Sequence, residues 1–281
     1  MASLPADAPL LTPRSGRVRS ARRLARRVSR AESRQFLAEG PQAVREALTV
    51  PGCVVEVYAD RRADSTHPEI HAAAIEAGVD WVLVDDAALG ALTETVTPQG
   101  VVALCRFLDR PLDHVLDQAP PRLVTVCADV RDPGNAGTVI RCADAAGADA
   151  VVLAGRSVDA YNGKTVRATV GSLFHVPLAI EPDPAHAVRT LQEHRLTVLA
   201  ADGAGEVDLD HAADDGLLAR PTAWLFGNEA WGLPRELAAL ADHRVRIPIH
   251  GRAESLNLAT AAAVCLYASA SAQRTRPPQD A

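Results

Sequence analysis

The chain is poor in aromatic side chains, at 4% of 281 residues. Its apolar content is nonetheless 48%, carried mainly by Ala and Val. That mixture suits closely packed helices and buried parallel strands, in a chain long enough for two ordinary domains. Cysteine is scarce and unpaired in pattern: Cys53, Cys105, Cys127, Cys142 and Cys265 are far apart and form no C-x-x-C. This excludes a disulfide framework and a zinc site, and it predicts reduced core thiols in a cytoplasmic protein with no metal. There is no run of 18 apolar residues free of charge. The Ala-rich C-terminal stretch comes nearest, but Ser255 and Asn257 make it too polar to cross a bilayer. The N-terminus has arginines with no apolar segment behind them, which excludes a secretory signal and predicts no membrane partner. Gly-rich phosphate loops are missing too. Gly203-Ala204-Gly205 runs into Glu206, Asp208 and Asp210, a poor start for a phosphate-binding helix. With no G-x-S-x-G elbow either, dinucleotide enzymes and serine hydrolases find no support.

Charge is present but unevenly spread. Residues 1–34 hold nine Arg against Asp7 and Glu32, a local +7, so the remaining 247 residues carry −13 of the net −6. An asymmetry of this kind points to an anionic partner for the arm, or to a solubilising tail.

Residues 1–28, rich in Pro, Ser and Arg, are expected to be a disordered arm. A small α/β domain is expected at 29–107, with strands at 54–58, 81–84 and 101–107 and helices at 42–48, 68–77 and 87–94. The Pro-bearing stretch 108–121 is expected to be a linker. From residue 122 to 272 strands and helices alternate: strands at 123–128, 150–153, 176–180, 196–200, 223–226 and 245–249, helices at 138–148, 163–173, 185–194, 235–241 and 256–271. That alternation predicts an α/β domain with a mostly parallel sheet covered on both faces. The tail 273–281 is expected to be disordered, and no internal repeat is found.

Three polar clusters fall at strand-to-helix junctions, where open α/β sheets place ligands. The first runs Asp132-Pro133-Gly134-Asn135-Ala136-Gly137 and reaches Arg141. Asn135 stands where a helix cap would stand, and Arg141 lies off the apolar stripe Val139, Ala143, Ala146. A capping Asn and an Arg paired with Asp144 would account for both without function. The second cluster is Gly227-Asn228-Glu229, just beyond a buried strand. An acid stabilised by a helix dipole is its plain alternative. The third is Glu254-Ser255-Leu256-Asn257, with Ser255 expected as cap of the last helix.

Together the clusters resemble the motifs of the SpoU/TrmH family of RNA 2′-O-ribose methyltransferases, within the SPOUT superfamily. Asp132-Pro133-Gly134-Asn135-x-Gly137-x-x-x-Arg141 is similar to the first motif. Leu225-Phe226-Gly227-Asn228-Glu229-x-x-Gly232-Leu233 is similar to the second, and Ile247-Pro248-Ile249 with Glu254-Ser255-Leu256-Asn257-Leu258-Ala259 to the third. Segments 161–168 and 171–177 also look familial. The resemblance spans about 122–271 and extends more weakly to Phe36-Leu37-Ala38-Glu39-Gly40, similar to the start of the family's small RNA-binding domain. Residues 1–28 lie outside it.

The resemblance implies a parallel-sheet SPOUT domain with a C-terminal trefoil knot, an exception to the rule that chains do not thread loops. It also implies a homodimer. It implies S-adenosylmethionine as cofactor, held largely through backbone at Gly227, Ile247 and Leu256, with Ala201 as a further candidate. Asn135, Arg141, Glu229, Ser255 and Asn257 would be the polar active-site set. In this reading Arg141 holds the neighbouring phosphate and the developing alkoxide, oriented by Asn135 and Glu229, while Ser255 and Asn257 shape the ribose pocket. The RNA substrate is expected to be ribosomal in preference to transfer RNA. Competing readings are a non-catalytic RNA-binding protein on the same fold, which would have no chemical use for all five polar residues, and a doubly wound enzyme using another nucleotide.

Overall fold

Residues 9–275 are described in the computed structural model, so positions 1–8 of the expected arm and 276–281 of the expected tail lie outside them. The chain divides into two compact units, 1–108 with 161–174, and 109–160 with 175–281.

The first unit is built on four strands: β1 (Gln35–Glu39), β2 (Val54–Ala59), β3 (Asp80–Leu83) and β4 (Val101–Arg106), in the order β1-β4-β2-β3. β4 is antiparallel to β1 and β2, and β3 is parallel to β2. The sequence periodicity locates β2, β3 and β4 to within a residue or two. It misses β1, although the alternating burial of that strand is regular. The insertion 161–174 belongs to this unit. Arg167 bridges Glu39 at 3.1 Å and Glu94 at 3.0 Å, and the Tyr161 hydroxyl accepts from the Leu108 N–H at 2.8 Å.

The arginine-rich stretch departs from expectation. Residues 16–33 are helical, as Gly16–Arg22, a 3-10 turn Arg23–Ala25, and Arg27–Ser33. The reason lies in three apolar residues at three-residue spacing, Val18, Ala21 and Leu24. They are buried against Tyr58, Val82, Leu89 and Val102 and form one stripe of a helix whose other faces are charged. Arg30 is itself buried, 3% exposed, and its guanidinium donates to the Leu24 and Ala25 carbonyls at 2.7 and 3.0 Å. It thereby satisfies the carbonyls that the short turn leaves open.

The second unit carries β5 (Leu123–Ala128), β6 (Ala150–Ala154), β7 (Leu178–Glu181), β8 (Thr197–Ala201), β9 (Val207–Asp208), β10 (Thr222–Phe226) and β11 (His243–Arg246). All pairs are parallel, in the order β7-β6-β5-β10-β8-β11-β9. The central strands β5, β6 and β10 are buried throughout, as near-continuous Val, Ala and Leu runs require of a sheet covered on both faces. The stretch expected to be a linker is partly structural: helix Leu112–Leu116 buries Leu112, Val115 and Leu116 in this core. Five free thiols are present, four of them buried.

Candidate active site

The site grows from three strand ends. β10 ends at Phe226, and residues 227–233 turn back on themselves. Asn228 and Gly232 exchange backbone hydrogen bonds of 3.0 and 2.9 Å, closing the turn. A Cβ on Gly227 would stand 2.3 Å from the Gly232 carbonyl carbon and 2.5 Å from the Leu233 nitrogen. Backbone cannot yield by that much, so the residue here is fixed as glycine. Asn228, 6% exposed, locks the turn to the end of β5: its Nδ2 donates to the Asp129 carbonyl at 2.7 Å and its Oδ1 accepts from the Ala230 N–H at 2.8 Å. Asn228 is visible within the second motif, but its locking role is absent from the sequence reading.

The next residue, Glu229, reaches the start of helix Pro133–Ala146. One oxygen accepts from the Asp132 N–H at 3.0 Å and from the Asn135 amide at 3.2 Å; the other accepts from the Arg131 N–H at 3.1 Å. The carboxylate therefore sits at the positive end of that helix. Desolvation pushes its pKa up, but the Arg131 and Asp132 N–H donors and the Asn135 amide outweigh this and hold Glu229 below the usual carboxylate value.

Two capping expectations are corrected. Asp132, not Asn135, caps the helix, its side chain accepting from the Asn135 N–H at 2.8 Å. Pro133 fits the first helical position because no backbone donor is needed there, so the helix begins ahead of the expected start at 138. Asn135 is thereby inside the first turn, with its amide free to bridge. Likewise Asn257, not Ser255, caps helix Leu258–Thr275: its Oδ1 accepts from the Ala259 N–H at 2.9 Å. The same side chain donates from Nδ2 to Asn135 Oδ1 at 3.0 Å. The three distant clusters thus meet in one hydrogen-bonded chain, Asn257 to Asn135 to Glu229.

Beside this chain lies a cavity of about 360 Å³. Ala201, Gly227, Ile247 and Leu256 all line it, as does Ser255, whose hydroxyl has no hydrogen-bond partner among the described residues. It opens at the carboxyl-terminal ends of β8, β10 and β11, the position that parallel sheets use for ligands. Ile247 and Ile249 are expected in a strand, yet β11 stops at Arg246. Pro248 has no N–H to continue a ladder, and the segment becomes cavity wall instead. The volume is of cofactor size, the usual range being about 300–1,000 Å³. Its charge is selective. Asp202, Glu229 and Glu254 line it and no Lys or Arg does. Such a wall repels phosphate and favours a cation with apolar parts, which fits S-adenosylmethionine and disfavours a nucleotide phosphate.

Arg141 is the exception. It is exposed on helix Pro133–Ala146, six residues past Asn135, and has no hydrogen-bond or ion-pair partner among the described residues. Six residues turn a helix by about 240°, so Arg141 and Asn135 leave different faces. Asn135 and Glu229 hence do not orient it within one chain. Nor does it pair with Asp144, which takes His175 at 2.8 Å.

Comparison with known proteins places this geometry. The model of the SpoU rRNA Methylase family matches residues 122–267, and that of the MRM3-like substrate binding domain matches 16–103. The latter begins inside the stretch that the motif resemblance leaves outside any family. The 23S rRNA (guanosine(2553)-2′-O)-methyltransferase RlmP of Bacillus subtilis is 35% identical over 89% of this chain and 94% of its own length. The 23S rRNA (guanosine-2′-O-)-methyltransferase RlmB of Bordetella pertussis is 32% identical over 84% and 97%. Among solved structures, the AdoMet-bound rRNA methyltransferase from Sinorhizobium meliloti superposes with a TM-score of 0.75 at 31% identity, covering 92% of this chain and 97% of that one. The chain belongs to the SpoU rRNA methylase family and is an S-adenosylmethionine-dependent RNA 2′-O-methyltransferase.

Proposed function

We propose that this enzyme methylates a ribose 2′-hydroxyl of large-subunit ribosomal RNA. The carrying observation is the phosphate-averse cavity abutting the Asn257–Asn135–Glu229 chain. Gly227, Ile247, Leu256 and Ala201 would hold S-adenosylmethionine, which supplies an electrophilic sulfonium methyl when bound. The chain's own residues then have two tasks: to hold the hydroxyl in line, and to stabilise the alkoxide that forms as its proton leaves. Ser255 offers an unengaged hydroxyl on the cavity wall, and Asn257, pinned to Asn135, gives the ribose site a fixed edge. Glu229, with three donors and a lowered pKa, is a poor proton acceptor and acts by fixing Asn135 and the helix start.

Arg141 supplies the charge. A guanidinium keeps its proton in proteins; because Arg141 leaves a different helix face from Asn135, it would clamp phosphate and alkoxide in the site of the other copy of a homodimer, and the proton passes to water. With no hydrogen-bond or ion-pair partner among the described residues, its fork is left for RNA. The homodimer implied by the motifs gains support from the helix Leu258–Thr275, where Val264 and Tyr267 remain 39% and 53% exposed. A C-terminal trefoil knot is part of the same reading. Residues 29–107 and the arginine-rich segment before them would bind the RNA.

Arg141→Lys keeps charge but loses the fork, and it should lower kcat by roughly 100-fold with cofactor affinity unchanged. Near-wild-type turnover would remove the clamp from the mechanism. Mapping ribose methylation in ribosomal RNA from cells with and without the gene tests the reaction itself. A nucleotide whose 2′-O-methyl disappears on deletion identifies the target, and an unchanged map refutes ribosomal RNA as the substrate.

A further inference from the structure

A second cavity, of about 580 Å³, lies in the first unit between the arginine-rich helices and the sheet. Its walls include Arg17, Ser20 and Arg23 on one side, Ser29 and Glu32 on the next helix, and Gln35, Glu56 and Tyr58 on the sheet. The floor is rigid. Glu56, 7% exposed, accepts from both Arg17 and the Tyr58 hydroxyl, and Arg17 reaches on to Asp80 at 2.8 Å. The walls, by contrast, are unspent. Among the described residues the Ser20 and Ser29 hydroxyls and the Gln35 amide have no hydrogen-bond partner, although Ser29 and Gln35 are only half exposed. Polar groups in such a concavity are those that read a ligand edge.

The helices that wall it carry uncompensated cations, of which Arg23 lines the cavity itself. Arg14, Arg19, Arg22, Arg23, Arg26 and Arg27 are exposed and have no ion-pair partner among the described residues. Elsewhere in the same unit Arg45 pairs with Glu69 and Arg62 with Asp60. Arg19, Arg22 and Arg23 share a helix face at three- and four-residue spacing. The helices that carry them are fixed in place by the Val18, Ala21 and Leu24 stripe and by buried Arg30. The charge is therefore presented in a set geometry.

We propose that this cavity takes one unstacked base of single-stranded ribosomal RNA, with the arginines of those helices holding the phosphates on either side of that nucleotide. Single-stranded RNA is read in this way, by splayed bases on their hydrogen-bonding edges and by backbone phosphates on Arg. Gln35 and the two serines supply donors and acceptors to the base edge. Arg22, Arg23, Arg26 and Arg27 hold the phosphates. The inference rests on the RNA-methylating function, but it concerns a place remote in sequence from the methyl-transfer residues.

Ser20→Trp fills the cavity from an exposed helix position without touching the core. Binding of the full-length chain to a 23S rRNA transcript should weaken on the order of tenfold. S-adenosylmethionine affinity should stay at wild type. Gln35→Ala, which opens the cavity instead of filling it, should weaken binding to a smaller extent. Replacing Arg22, Arg23, Arg26 and Arg27 by Ala should flatten the dependence of log affinity on log salt by roughly one unit for each phosphate that is no longer neutralised. Wild-type RNA affinity in both Ser20→Trp and Gln35→Ala overturns the base site, and an unchanged salt slope in the arginine variant overturns the phosphate contacts. RNA binding is read separately from methylation. A wild-type chain that binds the transcript but transfers no methyl therefore refutes the function while the cavity is still decided by affinity.

Discussion

Each unit of the molecule holds a cavity beside its sheet, and the two differ in charge: one is lined by carboxylates alone, the other by arginines and glutamates in equal number. In the second unit three carboxylates and no Lys or Arg line a space of about 360 Å³. In the first unit Arg17, Arg23, Glu32 and Glu56 stand in the wall of a larger cavity, of about 580 Å³, on helices that also carry arginines without an ion-pair partner among the described residues. The acidic cavity suits a cationic, phosphate-free cofactor; the exposed arginines on the helices of the first unit suit a polyanion. An enzyme that brings a sulfonium to a nucleic acid needs both polarities, and here each is built into a unit of its own. Residues 16–33 of the arginine-rich stretch stand on helices packed against the first unit's sheet, and the RNA contact proposed for them would give a surface opposite in sign to the cofactor cavity.

The strongest way to break this comparison is at Glu229. Glu229→Ala leaves the Arg131 and Asp132 N–H groups and the Asn135 amide without their acceptor. Each lost charge-assisted hydrogen bond is worth about 1.5–3 kcal/mol, so turnover should fall on the order of 100-fold or more. Affinity for RNA carried by the first unit should be unchanged. A proportional loss of RNA binding would show that the two surfaces are not separate. Glu229→Gln, which keeps one acceptor oxygen, should recover part of the loss.

A smaller effect is expected from the opposite side. Arg30→Met removes the buried guanidinium that satisfies the Leu24 and Ala25 carbonyls. It should destabilise the arginine-bearing helices by about 1–3 kcal/mol and lower RNA affinity, with S-adenosylmethionine binding intact. Thermal melting and calorimetric titration separate the two quantities. Unaltered RNA affinity would mean that the helices need not be fixed in order to bind.

The gentlest perturbation is pH. Glu229 has a lowered pKa in the folded chain, so its ionised form contributes stability above the ordinary carboxylate range, and that contribution fades as pH falls through the lowered value. Turnover should consequently show no Glu229 step between about pH 6 and 9, and the wild type should lose more stability than Glu229→Gln on acidification below about pH 4. Equal losses in the two proteins would show that the carboxylate is not ionised in its three-donor site.

Much of the second unit is legible in the sequence because its signals are local. A buried parallel strand is a run of Val, Ala and Leu whichever neighbours it has, so β5, β6 and β10 lie at nearly their expected bounds. Asn135, Glu229 and Asn257 are legible through the motifs that carry them. Their partnership is not, since it joins atoms 94 and 122 residues apart in the chain. The caps escape for a related reason. Asp132 and Asn135 both suit an N-terminal position, but the Asn135 oxygen that would cap accepts instead from Asn257 Nδ2, and its amide donates to Glu229. In the first unit the arginine density of residues 16–33 hides the Val18, Ala21 and Leu24 stripe. Three small or medium apolar residues among charges carry too little local signal to announce a helix until a sheet is there to bury them.

By itself, the order of residues determined the alternation of strands and helices, the glycine at 227 and the side chains that the chemistry needs, because backbone propensity, burial pattern and functional groups are properties of short segments. Only the tertiary structure decided which of those groups meet, that Arg141 faces away from Asn135, and that the N-terminal arginines stand on ordered helices. Hydrogen bonds and charge complementarity act over a few ångströms of space, and the chain crosses that space only once it has folded.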